Sequence, residues 1–281
     1  MEIEKAAELG FCFGVRRAIQ LVEKAAQERG PIQTIGALVH NRQVVEKLAK
    51  QGVSVAANLD EVQGNIVAIA SHGTGPEVIK QMKARGLEVI DATCPFVRKA
   101  QVAAQRLGKE GFWVLVFGDA SHPEVQAVLS WAGDKSSASL DISQSSLPER
   151  LGILSQTTQN QERFANFVSQ IISSEHLKPS ELRIFNTICD ATHKHQTASL
   201  ELAKRSDLMI VIGGRDSANT RHLAEICANT GVATYHIEAA DELDLSWIRG
   251  RQHIGVTAGA STPDEVINEI VLKLKKSAER N

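Results

Sequence analysis

One pattern is written three times along this chain, and that repetition limits the fold more than any other feature. "GFCFGVRRAIQ" (residues 10–20) and "DATCPFVRKAQ" (residues 91–101) each carry a cysteine, valine at +3, a basic pair at +4 and +5, and alanine at +6. A weaker third copy opens at Cys189 in "CDATHKHQTASLELAKRS", with Thr192 at +3 and His193 and Lys194 at +4 and +5. Each cysteine leads into a helix-like stretch and then into an apolar run: "IQTIGALV", "FWVLVFG" and "DLMIVIGG". Such runs read as buried parallel strands. Cys12 to His40, Cys94 to His122 and Cys189 to Ser217 each span 28 residues.

The register continues beyond these loops. A second helix follows each one, then a second apolar run ("NIVAIAS", "LGILS", "QHIGVTAG") and a second polar loop ("SHGTGPEV", "SQTTQNQE", "ASTPDEV"). The first two repeats close with a further helix and strand that run into the next cysteine. Alternating strands and helices at a period of about 90 residues predict an α/β protein of three units, each with a parallel sheet and right-handed crossovers. The expected lobes are residues 1–93, 94–188 and 189–281, related by a pseudo-threefold axis around a central cavity. "DKSSASLDISQSS" (134–146) and "SSEHLKPSE" (173–181) are expected to be polar surface insertions. "EIEKAAELG" has poor strand propensity, yet its place before Cys12 demands a strand.

Composition removes several function classes. A net charge of −2 with no long basic run argues against nucleic acid as a partner. No apolar stretch approaches the ~20 residues of a membrane span. The first residues read as neither a signal nor a transit peptide, so a cytoplasmic protein is expected. In a reducing compartment the cysteines Cys12, Cys94, Cys189 and Cys227 are better suited to metal or catalysis than to disulfides. Cys227, in "AEICANTG", falls outside the repeat register and fits the apolar face of a helix, so it is expected in the core.

In parallel α/β sheets ligands bind at the carboxyl ends of the strands, which is where the three repeated cysteines and the six polar loops belong. A helix N-terminus favours the thiolate, and thiolates suit zinc or iron–sulfur clusters. Three protein thiolates on a four-metal cluster leave one metal open for chemistry. The loops supply His40, His72, His122, Thr157, Ser217, Asn219 and Ser261, hydrogen-bonding groups mostly without fixed charge. Pro76, Pro123 and Pro263 occupy what reads as the first helical position, where free N–H groups and the helix dipole bind phosphate. For any single Ser, Thr or Asn here, helix N-capping is the alternative role. An acid follows each proline: Glu77, Glu124 and Asp264. Such acids commonly answer the helix dipole. Beside an open metal and a phosphate, Glu124 is also a candidate general acid, with Thr157 to orient it or relay protons.

"GFCFGV", "LVHN", "SHG", "DATCP", "HPEV", "SQTT", "CDAT", the "SANT" loop and "TAGASTP" occur in order over nearly the whole chain. Taken together the chain resembles the 4-hydroxy-3-methylbut-2-enyl diphosphate reductase family. That resemblance implies a [4Fe–4S] cluster held by Cys12, Cys94 and Cys189, with the substrate hydroxyl on the fourth iron. It implies a diphosphate among His40, His72, His122, Ser217, Asn219 and Ser261, and Glu124 with Thr157 as proton source. It also implies ferredoxin or flavodoxin as electron donor, and reductive loss of the hydroxyl to give isopentenyl and dimethylallyl diphosphates. The chain departs from the family at Ala218, where a second serine is usual and only a backbone N–H remains to serve. It departs again at His193 and His195. Three rivals fit the cysteines: a quinolinate synthase-like enzyme, a zinc hydrolase with three cysteines, and a non-catalytic iron–sulfur sensor. The first would take carboxylates and favour arginine forks, which the loops lack; colour and iron content would mark the second, and absence of turnover the third.

Overall fold

The computed structural model describes residues 1–142, 148–174 and 179–278. The chain opens with β1 (Glu2–Lys5), α1 (Phe13–Arg29), β2 (Ile32–Ile35), α2 (Arg42–Ala49), β3 (Val53–Ala56), β4 (Ile66–Ile69), α3 (Pro76–Ala84) and β5 (Glu88–Asp91). It continues through α4 (Pro95–Lys109), β6 (Trp113–Phe117), α5 (Pro123–Ala132), β7 (Ser136–Ser139), β8 (Arg150–Ser155), α6 (Gln161–Ser173) and β9 (Glu181–Phe185). The last stretch is α7 (Asp190–Ala203), β10 (Leu208–Ile212), α8 (Ala218–Ala228), β11 (Ala233–Ile237), β12 (His253–Ala258) and α9 (Asp264–Ala278).

These strands form three parallel four-stranded sheets, ordered β3-β2-β4-β5, β7-β6-β8-β9 and β11-β10-β12-β1. The architecture is therefore α/β with parallel sheets, as the repeat predicts. Each sheet carries an edge strand that the apolar runs do not announce: β3, β7 and β11. Within 134–146, expected to be a surface loop, Ser136–Ser139 is the strand β7, paired with β6 in register Val114↔Ser136. Small polar residues suffice there because an edge strand needs partners on one side only. Residues 143–146 of that stretch, and 175–178 of the other expected insertion, lie outside the described residues.

The strand demanded before Cys12 forms as β1, and it pairs with β12 of the third sheet (Glu2↔His253 to Lys5↔Val256). Its weak propensity is offset by charge pairing: Glu4 accepts from Arg205 at 2.6 Å and lies 2.9 Å from His253 Nε2. Residues 1–93 thus contribute to two sheets. By Cα proximity the chain forms two compact units, one of Met1–Arg16, Val39–Lys47 and Asp190–Asn281, the other of Arg17–Leu38 and Leu48–Cys189.

In the first unit, alternate residues of β10 face opposite sides, as strand geometry requires. Leu208, Ile210 and Ile212 pack with Ile267, Ile270 and Leu274 of α9. Met209 and Val211 pack with Leu202, Leu223 and Cys227 from α7 and α8. Both faces are covered, which is why the run "LMIVI" is apolar throughout. Cys227 is fully buried there and its thiol is pushed up to about 12 by burial, as a core residue should be.

In the second unit, Val114 and Val116 meet Ala100, Ala104 and Leu107 of α4 and Val125 and Val128 of α5. Leu115 and Phe117 meet Phe164, Phe167 and Ile171 of α6 on the other face. Helix α4 starts on Pro95 with Cys94 as N-cap, and its buried positions Val97, Ala100, Ala104 and Leu107 recur at helical spacing. It packs closely on α5 through Gly108, where a Cβ would stand 2.0 Å from the Ala132 carbonyl oxygen.

Candidate active site

The three cysteines hold equivalent positions in their respective sheets. Cys12, Cys94 and Cys189 each follow the outer strand of a sheet (β1, β5, β9) and directly precede a helix (α1, α4, α7). Each donates its backbone N–H to the second residue beyond the neighbouring strand: Cys12 to Ala260 O (3.1 Å), Cys94 to Ser71 O (2.9 Å) and Cys189 to Thr157 O (3.0 Å). Each of these thiols is partly exposed and none is in a disulfide. Soft sulfur donors held at helix N-termini fit an iron–sulfur or zinc centre.

The other site residues follow the same register. Strands β2, β6 and β10 pair with β4, β8 and β12 through Ile35↔Ile69, Phe117↔Ser155 and Ile212↔Ala258 at their ends. His40, His122 and Ser217 lie at equal distances beyond the first strand of each pair, and His72, Thr158 and Ser261 beyond the second. Thr157 instead matches Ser71 and Ala260, one residue earlier.

In the second unit the acid and its partner meet. Glu124 is only 3% exposed. Thr157 N–H donates to its Oε1 at 2.6 Å and Thr157 Oγ1 donates to its Oε2 at 2.7 Å. Burial pushes the Glu124 carboxyl above its ordinary value, and the two bonds from Thr157 oppose that rise. Glu77 and Asp264, which sequence treats as its equals, are exposed and pair with Lys80 and Arg16. Burial alone distinguishes Glu124.

His122 caps α5 by accepting Glu124 N–H on Nδ1 at 3.1 Å, which places its ring proton on Nε2. His72 Nδ1 faces the Gly73 carbonyl oxygen at 3.0 Å and therefore carries the proton. His72 and Pro123 line one cleft of about 270 Å³ with an apolar floor of Ile35, Ile69 and Val78. Cys189, Thr157, Glu124 and His122 thus form one bonded series, and Cys94 joins His72 through Ser71.

In the first unit His40, Ser217, Ala218, Asn219 and Ser261 gather near Cys12. Ser261 Oγ donates to the His40 carbonyl oxygen at 3.2 Å. Gly214 lies against the same carbonyl, where a Cβ would come within 2.6 Å of the oxygen. Burial lowers the His40 pKa, against the pull of Asp216. Ser217 caps α8, its Oγ accepting Thr220 N–H at 3.3 Å. Helix geometry leaves the N–H groups of Ala218 and Asn219 without intrahelical acceptors.

Asn219 is 4% exposed, and neither its Oδ1 nor its Nδ2 has a partner among the described residues. The repeat explains why. Asn219 lies two residues after Ser217, as Glu124 lies two after His122, but the counterpart of Thr157 is Ala260, which has no hydroxyl. A buried amide left unpaired is costly, and a ligand that bonds it removes the cost.

Some expectations are corrected. Pro263 is not the first residue of α9; it precedes Asp264 and accepts Ile267 N–H at 3.3 Å, acting as the cap. Helix α2 is capped by Asn41, whose Oδ1 accepts Val44 N–H at 3.1 Å, a role that sequence reading missed beside His40. His193 is exposed, whereas His195 is buried and burial lowers its pKa. Gln156, inside the "SQTT" motif, is buried at the centre of this region although nothing in its spacing singles it out.

A profile of the LytB protein family matches residues 3–275. The 4-hydroxy-3-methylbut-2-enyl diphosphate reductase of Dehalococcoides mccartyi strain 195 is 48% identical over 274 residues, covering 96% of each chain. The protein of that name from Geobacter sulfurreducens is 45% identical over 279 residues, covering 98% of each. A solved (E)-4-hydroxy-3-methyl-but-2-enyl diphosphate reductase, described as the terminal enzyme of the non-mevalonate pathway, is 37% identical with a TM-score of 0.69, covering 98% of this chain and 100% of that one. The Plasmodium falciparum reductase is 29% identical with a TM-score of 0.89, covering 97% and 87%.

Proposed function

This chain belongs to the LytB protein family, and from that premise we propose that it reduces (E)-4-hydroxy-3-methylbut-2-enyl diphosphate to isopentenyl and dimethylallyl diphosphates. Two electrons and two protons enter, the allylic C–O bond breaks, and the oxygen leaves as water. The observation that carries this reading is the buried Glu124–Thr157 pair, an acid whose hold on its proton burial strengthens. Cys12, Cys94 and Cys189 would hold a [4Fe–4S] cluster, which would supply electrons and, with three protein ligands, one open coordination position.

The chain's own groups do the rest. Thr157 N–H can only donate, so Oε1 of Glu124 stays an acceptor and the acid proton sits on Oε2. With Oε2 protonated the Oε2–Oγ1 contact reverses its sense: Oε2 donates to Thr157 Oγ1, whose own proton then turns outward, whereas the carboxylate accepts from Oγ1. The carboxylate that remains keeps the backbone N–H bond from Thr157, which limits the cost of ionising a buried acid. His40, His72, His122, Ser217, Asn219, Ser261 and the N–H of Ala218 bind the diphosphate, with the α8 N-terminus contributing its dipole. The resemblance makes ferredoxin or flavodoxin the electron donor and the cytoplasm the location; no helix among the described residues is long and apolar enough to cross a membrane. Residues 1–93, 94–188 and 189–281 each carry one repeated cysteine and one pair of polar loops, with β1 lent to the sheet of the third repeat.

The test is anaerobic incubation of cluster-loaded protein with hydroxymethylbutenyl diphosphate and a reduced viologen, with product identification. Formation of the two C5 diphosphates supports the reading. An intact cluster that oxidises no viologen removes the substrate assignment. Glu124→Gln is expected to keep iron and substrate binding and lose most turnover.

A further inference from the structure

Gln156 is 1% exposed and lies directly beside Thr157 in the loop after β8. Its backbone N–H donates to Phe117 O at 2.9 Å, the last residue of β6. Its side chain then turns into the loop after β6, where Oε1 accepts Asp119 N–H at 3.1 Å. Gln159 fixes that orientation, donating from Nε2 to the same Oε1 at 3.2 Å and from its backbone to Gln156 O at 3.1 Å.

These bonds close a circuit. Asp119 O accepts His122 N–H at 3.0 Å, His122 Nδ1 accepts Glu124 N–H at 3.1 Å, and Glu124 accepts both donors of Thr157. Thr157 is covalently next to Gln156, so the loop holding the acid and the loop holding its hydroxyl partner meet twice.

The repeat shows that the sheet itself does not demand this glutamine. The residue after the second strand of each terminal pair is Ala70 in the first sheet, Gln156 in the second and Gly259 in the third. The residue opposite is glycine each time: Gly36, Gly118 and Gly213. In the third sheet the space between Gly213 and Gly259 is taken by Thr220 Oγ1, which would lie 2.8 and 2.0 Å from added Cβ atoms. At this position a side chain long enough to cross between the loops occurs only in the repeat that carries Glu124; the other two sheets cross from neighbouring positions, with Ser71 Oγ donating to Leu38 O at 2.9 Å and Thr262 Oγ1 to Ile212 O at 3.0 Å. Gly118 makes room for it, since a Cβ there would stand 2.8 Å from Gln156 Cβ and 2.9 Å from Oε1.

We propose that Gln156 is a positioning residue that ties the two loops together and so holds Thr157 in register against Glu124. Its weight in turnover rests on the reading of Glu124 as proton source. Gln156→Met keeps the length of the side chain and removes the acceptor. In the cluster-loaded enzyme it is expected to lower kcat at least tenfold while KM and iron content stay within twofold. Amide hydrogen exchange is expected to quicken tenfold or more in segments 118–124 and 156–160 and nowhere else. Gly118→Ala, which displaces Gln156 without altering it, is expected to give the same exchange and kinetic signature. Combined with Glu124→Gln, the methionine variant is expected to add no further loss, because a positioning residue has nothing left to position. Losses that multiply in the double variant, or unchanged exchange in both segments of Gln156→Met, overturn the proposal. If Glu124→Gln itself retains a near-normal rate while Gln156→Met loosens those two segments, the positioning stands and the proton-source reading falls.

Discussion

Thr157→Val tests the proton path at a single atom. Valine keeps the shape of the side chain and the backbone N–H, so the 2.6 Å bond to Glu124 Oε1 survives while the 2.7 Å bond to Oε2 is lost. Glu124 is 3% exposed, so bulk water does not replace the missing donor. A hydrogen bond to a charged group contributes about 1.5–3 kcal/mol, and its loss falls on the ionised form. Burial already pushes the Glu124 carboxyl up, and the substitution removes one of the two contacts opposing that rise. The neutral acid then persists to higher pH, so the alkaline limb of the kcat profile moves upward. The outward path for the proton is also gone, and the plateau kcat is expected to fall about 10–100-fold, equivalent to about 1.4–2.7 kcal/mol.

Stability carries the same sign. A carboxyl raised in the folded state contributes stability that is full below its unfolded value and lost as pH rises through the folded one. Denaturation midpoints of the valine variant and the parent are therefore expected to separate further as pH increases. Thr157→Ser, which restores a hydroxyl, is expected to return most of the rate. A valine variant with kcat within twofold of the parent and an unmoved alkaline limb, or a limb shifted to lower pH, refutes the relay.

Three other outcomes are expected. Serine at Cys12, Cys94 or Cys189 lowers bound iron as measured by colorimetric assay, whereas Cys227→Ser leaves it unchanged, because that thiol is core packing with its pKa pushed to about 12. Asn219→Ala raises KM for the diphosphate about tenfold with a smaller change in kcat, the signature of lost ground-state binding in steady-state kinetics. It also stabilises the ligand-free protein in thermal melts, since the amide is buried with neither polar atom partnered among the described residues. Gly108→Ala forces a Cβ to within 2.0 Å of the Ala132 carbonyl oxygen, and is expected to cost about 1–3 kcal/mol in chemical denaturation as α4 and α5 separate.

The amino-acid sequence alone carried the repeat, and with it the parallel sheets, the strand-end loops and the cysteines that begin helices. These are legible because local chemistry dictates them. A doubly covered strand must be apolar, as in "LMIVI", and each repeated cysteine is separated from its loop 28 residues on by one helix and one strand. The edge strands were not legible, because Ser136–Ser139 needs hydrogen bonds on one side only and shows no apolar signal.

Tertiary structure decided the rest. Glu77, Glu124 and Asp264 hold the same place in sequence, and only folding buries Glu124 and sets Thr157 on both of its oxygens. The third repeat puts Ala260 where the second has Thr157, and Asn219 has no amide partner among the described residues. Neither fact can be read from spacing. A carboxyl's proton affinity and an amide's need for a ligand depend on what surrounds them in space, and those neighbours come from loops far apart along the chain.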